Sequence, residues 1–125
     1  MTRYDPQKAP DPDGWLRLDE AERIELVVQH HHHVGVRLPN ARLHATIHVV
    51  VENQVALGEE IPVRRTLQRL QSEGLDRHDA VHAVGSVLAK HMYDLLAEEP
   101  PAGDPNTRYW AELEALTAEN WRHTR

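Results

Sequence analysis

Apolar residues in this chain recur at intervals of three and four, and repeatedly the next position on the apolar stripe is taken by histidine. Ala21, Ile24, Val27 and Val28 lead to His31, and Leu43, Ile47, Val50 and Val51 run beside His44 and His48. Spacing of this kind places side chains on one face of an α-helix. No window alternates convincingly as a strand, and VRLPN at 36–40 is too short to change the class. The expected fold is all-α, a small helical bundle of about five helices with an extended N-terminal arm.

Helix boundaries follow from capping chemistry. Residues 1–14 contain Pro6, Pro10, Pro12 and Gly14 and show no periodicity, so they read as an extended arm anchored at Tyr4 and Trp15. Asp19 with Glu22 three residues on forms a capping box for a helix reaching His33, stopped by Gly35 and Pro39. Asn40 caps a second helix ending at Gly58. Pro62 opens a third that stops near Gly74, and Asp76 caps a fourth reaching about Ala97. The expected organisation is an arm at 1–14, a helical bundle at 15–97, a linker at 98–106, and a C-terminal docking helix and tail at 107–125. The last helix, about 107–121, carries Tyr109, Trp110, Leu113, Leu116 and Trp121 on one side.

Composition narrows the chemistry. The 125 residues suit one domain with one core. Lys and Arg number 14 against 20 Asp and Glu, a formal charge of −6, and no basic block disposes the chain to nucleic acid or an anionic membrane. No apolar run approaches the roughly 20 residues that cross a bilayer, and the N-terminus has no hydrophobic signal core, so the cytoplasm is the expected compartment. Cysteine is absent, which leaves nitrogen and oxygen as metal ligands. Phenylalanine is also absent, and histidine is abundant at 10 residues.

The histidines are patterned. His44 and His48 on the second helix, and His78 and His82 on the fourth, are each separated by four residues. Such pairs stack on one helix face about 6 Å apart at Cβ and can share one metal ion. On a helical wheel His44 falls inside the apolar arc and His48 on its edge, with Glu52 beyond. His78 is likewise inside and His82 at the edge, beside the small residues Gly85 and Ala89. Two facing pairs make a candidate site of His44, His48, His78 and His82, with His31 and Glu52 as an additional ligand or as orienting partners. The ligand set suits a divalent transition metal, zinc, iron or nickel. The competing reading is that these are core histidines bonded to one another or to backbone. His30, His32 and His33 fall off the stripe and read as a surface run, and His91 lies on a polar edge.

Other features are weaker. Arg64 and Arg65 read as partners for acidic groups. Ser86 lies near the histidine stripe, but no strand–turn–helix elbow surrounds it. Nucleotide-loop, zincin and EF-hand signatures are absent. A ferritin-type carboxylate site is disfavoured, since Glu52 alone lies near the cluster.

From His44 to Leu96 the chain reads HxxxHxxxExQ, then PVRRTLQRL, then GxxxHxAxH, then a Leu-rich helix end. This resembles the bacterial DUF1841 family, a domain of unknown function. The resemblance implies a helical fold and a bacterial source and supplies no activity. Three functions follow from the residues: a metal-binding helical protein, including a metal-dependent enzyme; a non-enzymatic interaction or oligomerisation module with structural core histidines; and a pH-responsive protein. A homodimer is expected, because the final helix has an apolar face needing cover. No small-molecule substrate is specified.

Overall fold

The computed structural model describes residues 3–35, 40–97, 99 and 102–124. They form seven α-helices, α1 (Pro12–Arg17), α2 (Glu20–His33), α3 (Ala41–Ala56), α4 (Val63–Ser72), α5 (Arg77–Leu95), α6 (Pro105–Ala115) and α7 (Ala118–Thr124). A 3-10 turn, Gly58–Glu60, links α3 and α4, and no strand occurs among the described residues. Residues 36–39 of the VRLPN stretch, and 98, 100 and 101 of the expected linker, lie outside the described residues.

The capping residues act as the sequence indicates. The Asp19 carboxylate accepts from the Glu22 amide at 2.8 Å and the Glu22 carboxylate from the Asp19 amide at 3.2 Å. Asn40 caps α3 and Asp76 caps α5. Gly58 and Gly74, with φ of 86° and 104°, take the left-handed turns that follow α3 and α4.

Two departures stand out. The arm turns helical at α1, where Asp11 accepts from the Gly14 amide and Pro12 occupies the first turn. That start signal is masked in sequence by the surrounding prolines. Trp15 of α1 is fully buried and donates to Asn53 Oδ1 at 2.8 Å. Arg23 satisfies the carbonyls of Trp15, Leu16 and Leu18 at the end of α1. The expected C-terminal helix begins two residues earlier, at Pro105, and is broken after Ala115. Leu116 is extended, and the Thr117 hydroxyl accepts from the Asn120 amide to start α7. The break returns Trp121 to the bundle, so the apolar face of this segment is covered by its own chain.

The core divides into two clusters. One, of Tyr4, Trp15, Val27, Ala45 and Val49, lies among the arm, α1, α2 and α3. The larger one joins α3, α4, α5, α6 and α7 around Val51, Leu67, Leu70, Val84, Leu88 and Leu113. Helix α3 serves both, and that double burial positions the site. Helices α3 and α5 approach closely at Gly85, where a Cβ would stand 2.9 Å from Ile47 Cγ2.

Candidate metal centre

On α3, Ala45 and Val49 face the α2 side and Val51 and Val55 face α4 and α5. His44, His48 and Glu52 form the stripe between these two apolar stripes, one residue per turn. A helix buried on both flanks puts the middle of that stripe deepest. His48 and Glu52 are each 1 % exposed, and His44 is half-buried. The wheel is therefore corrected: it places His44 inside and His48 at the margin, and the fold reverses them. Ala45 and Val49 were the legible signal of the second apolar flank.

His31, His48, His78 and His82 each offer one ring nitrogen, and these four atoms lie within 4.8 Å of one another. Nitrogens about 2.0–2.1 Å from a shared ion stand roughly 3.3 Å apart at a tetrahedral angle and at most about 4.2 Å apart across it. At its widest the group must therefore close by roughly 1.5 Å for a tetrahedral pair and by about 0.6 Å for two nitrogens opposite each other across the ion. His31 joins from α2 and is buried, which raises it from an accessory position into the group. His44 is not one of the four, although its ring lies 4.7 Å from His31, 4.8 Å from His48 and 5.0 Å from His82.

Hydrogen bonds fix which nitrogens are available. His31 Nδ1 donates to the Val27 carbonyl at 2.9 Å, which leaves Nε2 with the lone pair. His48 Nε2 meets His82 Nε2 at 3.0 Å. The Nε2 atoms of His31, His44 and His78 are buried without a hydrogen-bond partner. Each such atom costs about 1–3 kcal/mol, so three beside one another are a substantial uncompensated burden. Metal coordination satisfies an imidazole lone pair that no donor in the protein reaches.

Glu52 is not a member of this group. Arg77 grips it twice, at 2.7 and 2.8 Å, and the pair is almost wholly buried. The Tyr4 hydroxyl donates to Glu52 Oε2 at 2.5 Å and lies 3.2 Å from His48 Nδ1. The Tyr4 hydroxyl thus joins Glu52 to His48. Arg77 has no sequence signal beyond its position before His78; a buried carboxylate on a neighbouring helix is what calls for it.

The electrostatics favour neutral imidazoles. Burial, then the charge of neighbouring imidazoles, pushes the pKa of His48 far down and that of His82 down to about 4. His44 and His78 are lowered for the same reasons. Neutral imidazole is the metal-ligating form.

His30 departs from the expected surface run. It is half-buried, with its ring edge-on to Tyr4 and His78, whereas His32 and His33 are exposed. His91 is buried rather than peripheral, stacked on Tyr109 at 4.9 Å. Met92 and Leu96, at the C-terminal end of α5, are exposed. Arg64 satisfies the Val55 carbonyl and Arg65 pairs with Glu114 at 2.6 Å, both structural. The Ser86 hydroxyl donates to the Ala83 carbonyl. No described helix is long and apolar enough to cross a membrane.

Fold and site together define a helical bundle with a group of four buried and half-buried histidines whose arrangement is compatible with a metal ion. The chain belongs to the DUF1841 family, a domain of unknown function, whose family model matches residues 18–113. The match takes in α2, α3, α4 and α5, and so every histidine of the group. No curated protein and no solved structure matches the chain.

Proposed function

We propose that this protein binds one divalent transition metal ion, zinc, iron or nickel, through His31, His48, His78 and His82, with His44 as an adjoining fifth nitrogen. The observation that carries this reading is the cluster of buried Nε2 atoms without partners on His31, His44 and His78. An all-imidazole set disfavours the hard, oxygen-seeking ions calcium and magnesium. Four imidazoles on one ion make a closed structural centre, and catalysis requires a further open position. His44 is the residue beside the group that governs this, by filling or leaving that position.

The second reading is a non-enzymatic interaction module with structural core histidines. The direct His48–His82 contact favours it, since those two rings satisfy each other without an ion.

Elemental analysis of untagged protein, followed by competition titration with zinc, nickel and iron(II), separates the two. The metal reading expects about one ion per chain and loss of binding in His48→Ala and His82→Ala. Absence of metal after purification, with a melting temperature unmoved by each ion, overturns it in favour of structural histidines.

A further inference from the structure

Tyr4 has one hydroxyl proton and three polar neighbours, Glu52, His48 and the Arg77 guanidinium, of which the guanidinium can only donate. Glu52 is held as a carboxylate by the paired contacts of the Arg77 guanidinium. The 2.5 Å distance from Tyr4 Oη to Glu52 is that of a hydroxyl donating to a charged oxygen. The proton is therefore committed to Glu52, and Tyr4 Oη faces His48 Nδ1, 3.2 Å away, with a lone pair. Only an Nδ1–H satisfies that contact. His48 is thereby fixed as the tautomer whose Nε2 carries the lone pair, directed at His82.

The segment carrying Tyr4 is anchored beside the ligands. Tyr4 is 3 % exposed, with its ring edge-on to His48 and His30. The Pro6 carbonyl accepts from Arg77 Nη1 at 2.9 Å, and Gln7 Oε1 accepts from the His78 amide at 3.4 Å. Within four residues the arm touches one ligand's ring, a second ligand's backbone and the arginine that holds Glu52.

We infer that the Tyr4–Gln7 segment is part of the metal site: Tyr4, oriented by Glu52, is a positioning residue that presets His48 for coordination, so docking of the segment and metal affinity form one linked equilibrium. This rests on the metal reading above. Linkage is reciprocal, so the free energy that the docked segment adds to metal binding is returned by the metal to docking.

The test uses the full, untagged chain and zinc as the probe. Tyr4→Phe keeps the ring and removes the oxygen. It should weaken zinc binding by about 10- to 100-fold in a competition titration, the range found when orienting partners of ligating histidines are lost. A purely packing role for Tyr4 would lower the melting temperature and leave the zinc affinity of the folded protein in place. Nitrogen-15 imidazole spectra of the metal-free wild type should show His48 protonated at Nδ1. Hydrogen exchange across Tyr4–Lys8 in the wild type should slow on zinc saturation, a measurement that needs no variant to fold. Zinc affinity in Tyr4→Phe within twofold of wild type, a His48 protonated at Nε2, or exchange unmoved by zinc would each overturn the inference. A wild type that binds no metal overturns the metal reading and the coupling with it. That failure is recognisable because the tautomer is read on metal-free protein and stands or falls separately.

Discussion

His48 of α3 and His82 of α5 meet nitrogen to nitrogen at 3.0 Å, and α3 contributes residues to both hydrophobic clusters. With His48 protonated at Nδ1, His82 supplies the single proton between them in the metal-free state. Replacing His82 by Ala leaves His48 Nε2 buried and unpaired, at an expected cost of about 1–3 kcal/mol. With zinc present at a hundred times its dissociation constant, the wild type gains about 2.7 kcal/mol that the variant does not. Urea unfolding with a chelator and again with zinc checks both figures; equal gaps under the two conditions would contradict metal ligation by His82.

His31 and His44 separate by role. His31 is buried and within the four-nitrogen group, and His44 is half-buried and outside it. His31→Ala should reduce zinc affinity by at least ten times more than His44→Ala, measured by competition against a coloured chelator. The reverse order would move the site toward His44, as the helical wheel alone implies.

Glu52 and Arg77 form a buried ion pair, 0 % and 7 % exposed at their side chains. Arg77→Ala strands a carboxylate and should cost about 3–5 kcal/mol of stability at pH 7. Glu52→Gln combined with Arg77→Met should be less destabilising than the sum of the single changes, because neither variant group carries a charge. Denaturant midpoints for the two single variants and the double variant decide this, and strict additivity would remove the coupling.

Acid should unfold the metal-free protein through its histidines. The unfolded chain takes up protons near the ordinary value of about 6.5. The folded chain resists, because burial and then the neighbouring imidazoles lower His44, His48, His78 and His82, with His82 at about 4. The unfolded state thus binds more protons, and stability rises with pH. Full stability is expected above about pH 6.5, with progressive loss between there and about pH 4. Urea midpoints at pH 7.5, 6 and 5 measure it; a flat series would show that the rings are not held neutral by the fold.

Gly85 permits the close approach of α5 to α3. Ala at this position places a Cβ 2.9 Å from Ile47 Cγ2. Overpacking of this kind costs about 1–3 kcal/mol, against a gain of about 1 kcal/mol in helix propensity. Gly85→Ala should therefore lower the melting temperature and, by spreading the His44/His48 and His78/His82 pairs, weaken zinc binding. In an Ile47→Ala background the same change should become neutral or stabilising, since the opposing methyl is gone.

Residues that act within a turn or two of themselves were readable in the chain. Period and capping residues located α2, α3, α4 and α5, and four-residue spacing singled out both histidine pairs. The quoted spacings from His44 to Leu96 pointed to the family whose model matches 18–113. These are local properties, set by backbone geometry and nearby side chains. Burial order within the site was decided by tertiary structure. A wheel scores one apolar face, whereas α3 is covered on two, and so His48 and Glu52 rather than His44 lie deepest. The recruitment of His31 from α2 and the bond of Tyr4, 48 residues from Glu52, depend on which helices become neighbours. The Arg77–Glu52 pair likewise joins positions 25 residues apart, and no local period encodes it.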